Sequence, residues 1–219
     1  MPCVSIVSPV WAGYNPPSQP SAPSGNITTT GRRGGCLSAE TASLTAIAPL
    51  SHVGQTIAPH PTFMWFVPDE QPFSIEFYLY QQQVSGEQLI YQVNRSSTPG
   101  MMSLTLPTAE PALQVGQRYR WQVVLLCNPN SPSSALVADA EVEIARPSAE
   151  LETAFASTIN PAARANLLAE FGLWYDAIAV ADPEEQINLL TNLSAIEAAN
   201  GSSNHSQAID RIIASFQSR

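Results

Sequence analysis

The chain has 219 residues, of which 44% are hydrophobic and only 12% are charged, so it can bury a core as one domain or as one domain with an appendage. Its net charge of −9 at pH 7 repels phosphate backbones, which argues against a nucleic-acid partner. All nine basic residues are arginine, and this excludes Schiff-base lysine chemistry and the lysine of a phosphate-binding P-loop.

The N-terminal part of the chain lacks the pattern of a folded domain. Residues 1–12 are largely apolar, end in a small residue and precede a Pro/Ser-rich stretch, so we interpret them as a signal-peptide remnant without its basic start. The alternative is an uncleaved terminus. Residues 13–35 are rich in Pro, Ser, Gly and Thr, and we expect a disordered linker there. No run approaches the ~18 apolar residues of a membrane span, so we expect no transmembrane segment in the mature chain.

Residues 36–147 have the pattern of an all-β domain. Short runs rich in β-branched and aromatic residues alternate with Pro, Gly or Asn turn signals, and several runs have one apolar face. We predict an antiparallel β-sandwich of immunoglobulin or fibronectin-III type with about seven strands. The predicted strands are 43–48, 62–67, 73–82, 88–94, 101–106, 118–127 and 135–145.

The run 62–67 is apolar on both of its faces. Phe63 and Trp65 alternate with Met64 and Phe66, so neither face suits water. We therefore predict a central strand that is covered on both sides. The C-terminal region is the candidate for the second cover.

The C-terminal region, residues 148–219, has the apolar spacing of helices. Asn160-Pro161 and Asp182-Pro183 each combine an N-cap residue with a proline at the first helical position. Each predicted helix carries one apolar stripe, which must pack on another surface. We predict a helical hairpin, followed by a last short helix, that packs on the sandwich through Trp174 and Tyr175. Packing on another chain is the alternative.

A turn before the sixth predicted strand has an unusual spacing. Leu113, Gly116 and Tyr119 follow one another at intervals of three, which is typical of a tyrosine corner, where the tyrosine hydroxyl bonds the backbone a few residues upstream. Trp121 shares the apolar face of the same strand. The alternative is an ordinary turn.

Three cysteines, at positions 3, 36 and 127, are too far apart for a CxxC zinc or redox motif. Cys36 precedes the first predicted strand, and Cys127 closes the sixth at what we expect to be the same end of the sandwich. A disulfide there would close a loop of about 90 residues and contribute on the order of 4–5 kcal/mol. The alternative is two reduced, unrelated thiols.

Six stretches, among them His-Pro-Thr-Phe-Met-Trp-Phe-Val-Pro at 60–68, occur in an order that is similar to a known family. Together they resemble the cyanobacterial family catalogued as domain of unknown function 928, over roughly residues 31 to 198. The resemblance implies export behind a signal peptide and implies both Cys36 and Cys127. It brings no established activity, so it assigns no functional residues. The other five stretches are 31–36, 44–49, 99–107, 115–129 and 172–178.

The sequence contains no motif for catalysis, cofactor binding or metal binding. His52, His60 and His205 are scattered, with no cysteine or carboxylate at ligand spacing. The adjacent acids Glu184 and Glu185 lie on one helical turn, whereas glycoside hydrolysis needs carboxylates that face each other across a cleft. We therefore predict no catalytic residue, no cofactor and no metal.

Two surfaces are candidates for binding. One is the disulfide end, where the loops with Asp69, Glu70, Asn128 and Asn130 should lie together, because loops at one end of a sandwich often carry recognition. The other is the outward strand face with the aromatic residues Tyr78 and Tyr80, which suit stacking on a sugar ring or on protein. The alternative for both is ordinary surface.

These observations favour an exported, non-enzymatic protein-interaction module of the cell envelope, periplasmic or secreted, with an unknown protein partner. A carbohydrate-binding module for an envelope or extracellular polysaccharide is the first alternative. An unrecognised hydrolase is the second.

Overall fold

The computed structural model describes residues 13–24, 36–37, 43–128, 130 and 132–217. The interpreted signal-peptide remnant, 1–12, lies outside the described residues, as does the stretch 25–35 of the expected linker.

Eight strands form two sheets, one with the order β1-β3-β6 and one with the order β2-β8-β7-β4-β5. Each of the seven predicted strands has a counterpart, and β2 is additional. The strands are β1 Thr45–Ala46, β2 Gly54–Thr56, β3 Thr62–Val67, β4 Ser74–Gln83, β5 Gly86–Ser96, β6 Gly100–Thr105, β7 Arg118–Leu126 and β8 Leu136–Ile144.

The prediction of a wholly antiparallel arrangement is wrong at one edge. The strand β2 runs parallel to β8, with Gly54 opposite Val142 and Thr56 opposite Ile144, while the other described pairs are antiparallel. Its three residues are Gly, Gln and Thr, so there is no alternation of apolar residues that would predict a strand.

The two sheets pack face to face through aromatic rings. Phe63 on β3 lies 5.2 Å from Phe77 on β4 and 5.5 Å from Trp121 on β7, measured between ring centroids. Trp65 stacks on Phe77 at 6.0 Å and is 1% exposed. Full burial of such a side chain stabilises a fold by ~1.5–3 kcal/mol, so these rings hold the two layers together.

Five helices follow the strands, so the prediction of a helical hairpin with one short helix was too simple. Asn160 and Asp182 cap their helices as predicted, but Gly172, at φ +78°, separates two helices where the apolar spacing suggested one. No helix within the described residues is long and apolar enough to span a membrane. The helices are α1 Ala149–Ser157, α2 Pro161–Glu170, α3 Trp174–Val180, α4 Pro183–Ala199 and α5 Ser203–Gln217.

The helices are fixed to both sheets by buried polar contacts as well as by apolar packing. The Trp174 indole N–H donates to the carbonyl of Ile47 at 2.9 Å. The Tyr175 hydroxyl accepts from the Trp121 indole N–H at 2.8 Å and donates to the carbonyl of Glu141 at 2.9 Å. Each of these three buried donors thus has a partner, which gives the helical layer one defined position.

The second cover of β3 lies on the side away from Trp65. Phe66 meets Phe216 of α5 edge to face at 6.3 Å, whereas Trp65 and Phe63 point at the five-stranded sheet. The two-sided apolar pattern of β3 therefore reflects one face in the core between the sheets and one face under a helix.

Residues 13–24 form an ordered strap, so the expectation of a disordered linker is wrong for this stretch. The Asn15 N–H donates to the carbonyl of Ala169 at 3.1 Å, and the Val53 N–H donates to the carbonyl of Ser21 at 2.9 Å. The backbone N–H and the hydroxyl of Ser24 both donate to the Glu141 carboxylate. Composition suggested disorder because few residues are apolar, but hydrogen bonds to the body and the burial of Tyr14, which is 3% exposed, hold the strap in place.

Candidate functional site

The disulfide end is closed by one covalent bond and one buried carboxylate. Cys36 and Cys127 form a disulfide with their Cα atoms 5.1 Å apart, which confirms the predicted pair. Asp69 is 2% exposed and accepts the backbone N–H groups of Cys36 and Leu37 at 2.8 and 2.9 Å. Asp69 was predicted as a binding residue, but both of its oxygens are occupied by the chain itself. These two bonds join Asp69 to the segment that carries Cys36.

The other predicted residues of this end are exposed side chains of its loops. The Asn128 side-chain oxygen accepts the backbone N–H of Asn130 at 2.9 Å, which is an Asx turn. Glu70, Asn128 and Asn130 are all exposed. Residues 129 and 131 lie outside the described part of the chain.

The aromatic pair on the outward face of β4 is also engaged by its own neighbours. Tyr78 and Tyr80 stack with their centroids 6.1 Å apart, and the Arg120 guanidinium lies 4.5 Å over the Tyr80 ring. The Tyr78 hydroxyl donates to Glu76 at 2.5 Å, and this bond raises the pKa of Tyr78 to about 12. One ring face and one hydroxyl of the pair are thus already occupied within the chain.

Arg120 is held in place by two acids. Its guanidinium donates to both oxygens of Glu87, at 2.8 and 2.6 Å, and lies 3.5 Å from Asp139. The hydrogen bond to Arg120 lowers the pKa of Glu87, and the same bond raises the pKa of Arg120. A bidentate pair of this kind fixes a guanidinium in one orientation, so Arg120 stays over the Tyr80 ring.

A buried row of polar side chains joins the strap to the helices. The Tyr14 hydroxyl donates to His52 Nε2 at 2.8 Å, and His52 Nδ1 lies 3.1 Å from the Ser51 hydroxyl. Ser51 donates to Glu197 at 2.8 Å, because a carboxylate can only accept. The hydrogen-bond inventory therefore assigns a neutral His52 with its proton on Nδ1. Burial lowers the pKa of His52 and raises that of Tyr14, in agreement with this assignment.

This row does not have the order of a catalytic triad. In a triad the histidine lies between the serine and the carboxylate and takes the serine proton, whereas here Ser51 lies between His52 and Glu197. Glu197 is fully buried and also accepts the backbone N–H groups of Leu50 and Ser51. The arrangement positions the loop before β2. Among the described residues there is no cluster of three or more potential metal ligands.

A pocket of about 140 Å³ opens at the opposite end of the sandwich, which we call the corner end. The tyrosine corner lies there: the Tyr119 hydroxyl accepts the backbone N–H of Gln114 at 3.0 Å, and Gly116 adopts φ +80° in the turn between them. This corner pocket has an apolar floor and walls with two tyrosine rings. They are provided by Ile90, Leu106, Pro111, Leu113, Tyr91 and Tyr119.

Four polar side chains around the corner pocket have no partner within the described chain. They are the amides of Gln81 and Gln114, the Tyr91 hydroxyl and the Glu110 carboxylate. The loop that carries Glu110 is fixed at its backbone, where His60 Nε2–H donates to the Glu110 carbonyl at 3.0 Å. Unoccupied polar groups that surround an apolar floor are the usual composition of a ligand pocket.

Sequence reasoning missed this pocket because two long-range features build it. The register of β4 and β5 shifts between Leu79 and Tyr80, which leaves Ile90 as an extra residue in β5. A bulge of this kind re-aims the side chains next to it, and Ile90 and Tyr91 both line the pocket. The irregular stretch 106–114 supplies the facing wall. The only sequence signal was the corner motif itself.

Exposed aliphatic side chains also gather near the corner end. Val84 at the β4–β5 turn is fully exposed, Leu89 is 45% exposed and Val115 is 53% exposed. Leu89 and Val115 are each adjacent in sequence to a residue that lines the pocket. Exposed apolar side chains near a pocket are typical of interaction surfaces, and Leu89, which lies opposite Tyr80, extends this set onto the outward face of the sheet.

The fold and the site together define a class: a disulfide-linked protein of two β-sheets with a helical layer and a small pocket at one end. The chain matches the family described as Domain of Unknown Function (DUF928) over residues 28–188, and it belongs to that family. No curated protein matches the chain.

One solved structure that resembles part of the chain is a lytic polysaccharide monooxygenase, described as important for efficient utilization of chitin in Cellvibrio japonicus. The sequences are 11% identical, and the alignment covers 42% of this chain and 54% of that one. This chain thus spans about half of the monooxygenase. At a TM-score of 0.31 the likeness carries no argument on function.

Proposed function

We propose that this chain is a non-enzymatic protein-interaction module of the cell envelope, exported to the periplasm or secreted, and that it meets its partner with the corner end. The single observation that carries the proposal is the corner pocket, which lies at the same end of the sandwich as the exposed aliphatic residues Val84, Leu89 and Val115. Interfaces combine such an apolar centre with uncommitted polar groups at its rim. We further propose an immunoglobulin-like or fibronectin-like sandwich, for which the tyrosine corner at Tyr119 is the support.

Export is supported by the disulfide between Cys36 and Cys127. Disulfides persist in oxidising compartments and are rare in the cytosol. Thiol labelling before cell lysis, followed by mass spectrometry, tests this part. We expect both cysteines to resist labelling, and two labelled thiols would contradict export.

The interaction is tested by photo-crosslinking at two exposed aliphatic positions. A crosslinker at Leu89, in the corner end, should capture one protein in a fixed ratio, whereas a crosslinker at Ile159, which is 87% exposed and outside it, should not. The capture should then be lost in Val84→Glu and retained in Ile159→Glu, which places the same charge elsewhere. Equal loss in both variants, or capture from Ile159 alone, would contradict an interface at the corner end.

A carbohydrate-binding module is the second candidate, and the unpaired amides of Gln81 and Gln114 favour it. Sugar hydroxyls bond such amides while the sugar ring stacks on an aromatic wall such as Tyr91. Quenching of aromatic fluorescence by envelope polysaccharide tests it. Saturable quenching that Gln114→Ala abolishes would favour the carbohydrate, and a Tyr80→Ala variant is the control on the outward face. We do not favour a hydrolase, because the described residues contain no nucleophile paired with a base in triad order.

A further inference from the structure

We propose that the corner pocket binds the guanidinium group of an arginine side chain that the partner protein presents. The inference rests on the proposed function, because it names what enters the pocket when the partner binds. It is carried by the charge, the acceptors and the shape of the pocket.

The charge of the pocket selects a cation. Glu110 is the one charged residue among those that line it, and its carboxylate has no hydrogen-bond or salt-bridge partner within the described chain. The two arginines on the nearest strand are paired elsewhere, Arg118 with Glu143 at 3.0 Å and Arg120 with Glu87 at 2.6 Å. The chain as a whole carries a net charge of −9, so an approaching cation is attracted at longer range as well.

The acceptors select a group with several donors. Gln81, Gln114, Tyr91 and Glu110 all line the pocket, and their side chains carry amide, hydroxyl and carboxylate oxygens that can accept hydrogen bonds. A guanidinium presents five N–H donors in a planar fork, whereas an ammonium presents three on a compact, strongly hydrated head. The planar fork is therefore the better match for acceptors that are distributed around a rim.

The shape accepts one side chain. A volume of about 140 Å³ is well below the range of a drug-sized ligand pocket. The apolar floor, with Leu106 and Leu113, suits the methylene stem of an arginine, and the Tyr91 ring offers an aromatic surface for its cation. A purely apolar side chain would cover the same floor but would leave the polar groups of the rim without partners, which weakens binding.

Two small probes separate charge from shape. N-acetyl-arginine amide and N-acetyl-citrulline amide have side chains of nearly the same size and planarity, but only the first is charged. Titrated into the full chain labelled with ¹⁵N, the arginine probe should cause saturable shifts of the amide signals of Gln81, Tyr91 and Gln114. Loss of a charge-assisted bond weakens binding by about tenfold, so the citrulline probe should bind about tenfold more weakly.

Matched variants test whether the carboxylate of Glu110 supplies the charge that the arginine probe recognises. Glu110→Gln keeps the size of the side chain and should weaken the arginine probe by about tenfold while leaving the citrulline probe unchanged. Glu70→Gln removes an exposed carboxylate at the disulfide end and should leave both probes unchanged. Thermal unfolding of each variant verifies that the fold is retained.

Three outcomes would overturn the inference: equal binding of the two probes, shifts that map outside the pocket, or saturable binding of methyl glucoside at the same residues with greater affinity than the arginine probe. These outcomes are distinguishable from a failure of the proposed function. If the Leu89 crosslinker captures a partner but the arginine probe does not bind, the corner end is an interface and the guanidinium assignment is wrong. If no partner is captured at the corner end, the proposed function fails.

Discussion

The two ends of the sandwich use similar residue types for opposite purposes. At the disulfide end, the buried carboxylate of Asp69 accepts two backbone N–H groups, and a covalent bond closes the loops. At the corner end, Glu110 and two glutamine amides surround an apolar pocket without partners in the described chain. A polar group that is satisfied inside the chain stabilises the fold, and one that is left over is available to a ligand. Substitutions at each end of the sandwich can test this division.

Removal of the disulfide should have the largest effect. The two cysteines are 91 residues apart in sequence. A disulfide that closes a loop of that size raises the free energy of unfolding by about 4–5 kcal/mol. We expect the double variant Cys36→Ser/Cys127→Ser to lose about that amount in urea denaturation. Reduction of the wild-type protein should reproduce the loss. An unchanged denaturation midpoint would contradict a structural role for this end.

Asp69→Ala should have the next largest effect. It leaves two backbone N–H groups without their acceptor, at a cost of about 1–3 kcal/mol. The neighbouring Glu70→Ala removes an exposed carboxylate and should change the unfolding free energy by no more than about 0.5 kcal/mol. Equal effects of these two variants, measured by urea denaturation, would contradict the distinction between them.

Tyr119→Phe tests the corner itself. The variant loses one hydrogen bond, from the Gln114 N–H to the Tyr119 hydroxyl, and we expect it to cost about 1 kcal/mol. Tyr91→Phe, which removes a hydroxyl without a partner, should be close to neutral in the same thermal unfolding experiment. A neutral Tyr119→Phe would show that the turn does not depend on the corner bond.

Alkaline titration tests whether the hydroxyl of Tyr78 on the outward face is bonded within the chain, as the carboxylate of Asp69 is at the disulfide end. The pKa of Tyr78 is raised from 10.0 to about 12 by its bond to Glu76. Because the folded pKa is the higher one, the stability from this bond is fully present below pH 10 and is lost as the pH rises towards 12. The difference in tyrosinate absorbance between the wild type and Tyr78→Phe should have a midpoint near 12. Glu76→Gln should move this midpoint towards 10.0.

Gln114→Ala should have the smallest effect on stability. Its side chain is exposed and has no partner in the described chain, so we expect a change of no more than about 0.5 kcal/mol. Capture of the partner through the crosslinker at Leu89 should nevertheless decrease. A variant that loses stability but not binding would show that Gln114 stabilises the fold and does not contact the partner.

The sequence predicted the features that depend on local pattern. Alternation along β4, β7 and β8 identified these strands, and cap residues identified the starts of α2 and α4, because such signals lie within a few residues of each other. The order of the strap was not predicted, because residues 13–24 are held by acceptors such as Ala169 and Glu141 that are distant in sequence.

The candidate site was predicted only in part, for the same reason. Asp69, Tyr78 and Tyr80 were recognised as polar or aromatic residues on loops and faces, but their engagement by Cys36, Glu76 and Arg120 is a property of the folded chain. The corner pocket depends on a bulge in β5 and on a loop that has no regular structure. Neither leaves a periodic signal.

Hydrogen exchange on the complex with the captured partner is the most direct test that the corner end is the recognition surface. The measurement compares the free chain with the crosslink-verified complex, peptide by peptide. Slower exchange over residues 84–91 and 110–116, with no change over 69–72 and 128–130, is the result that we predict. Slower exchange over 69–72 and 128–130, with none at the corner end, would contradict the account.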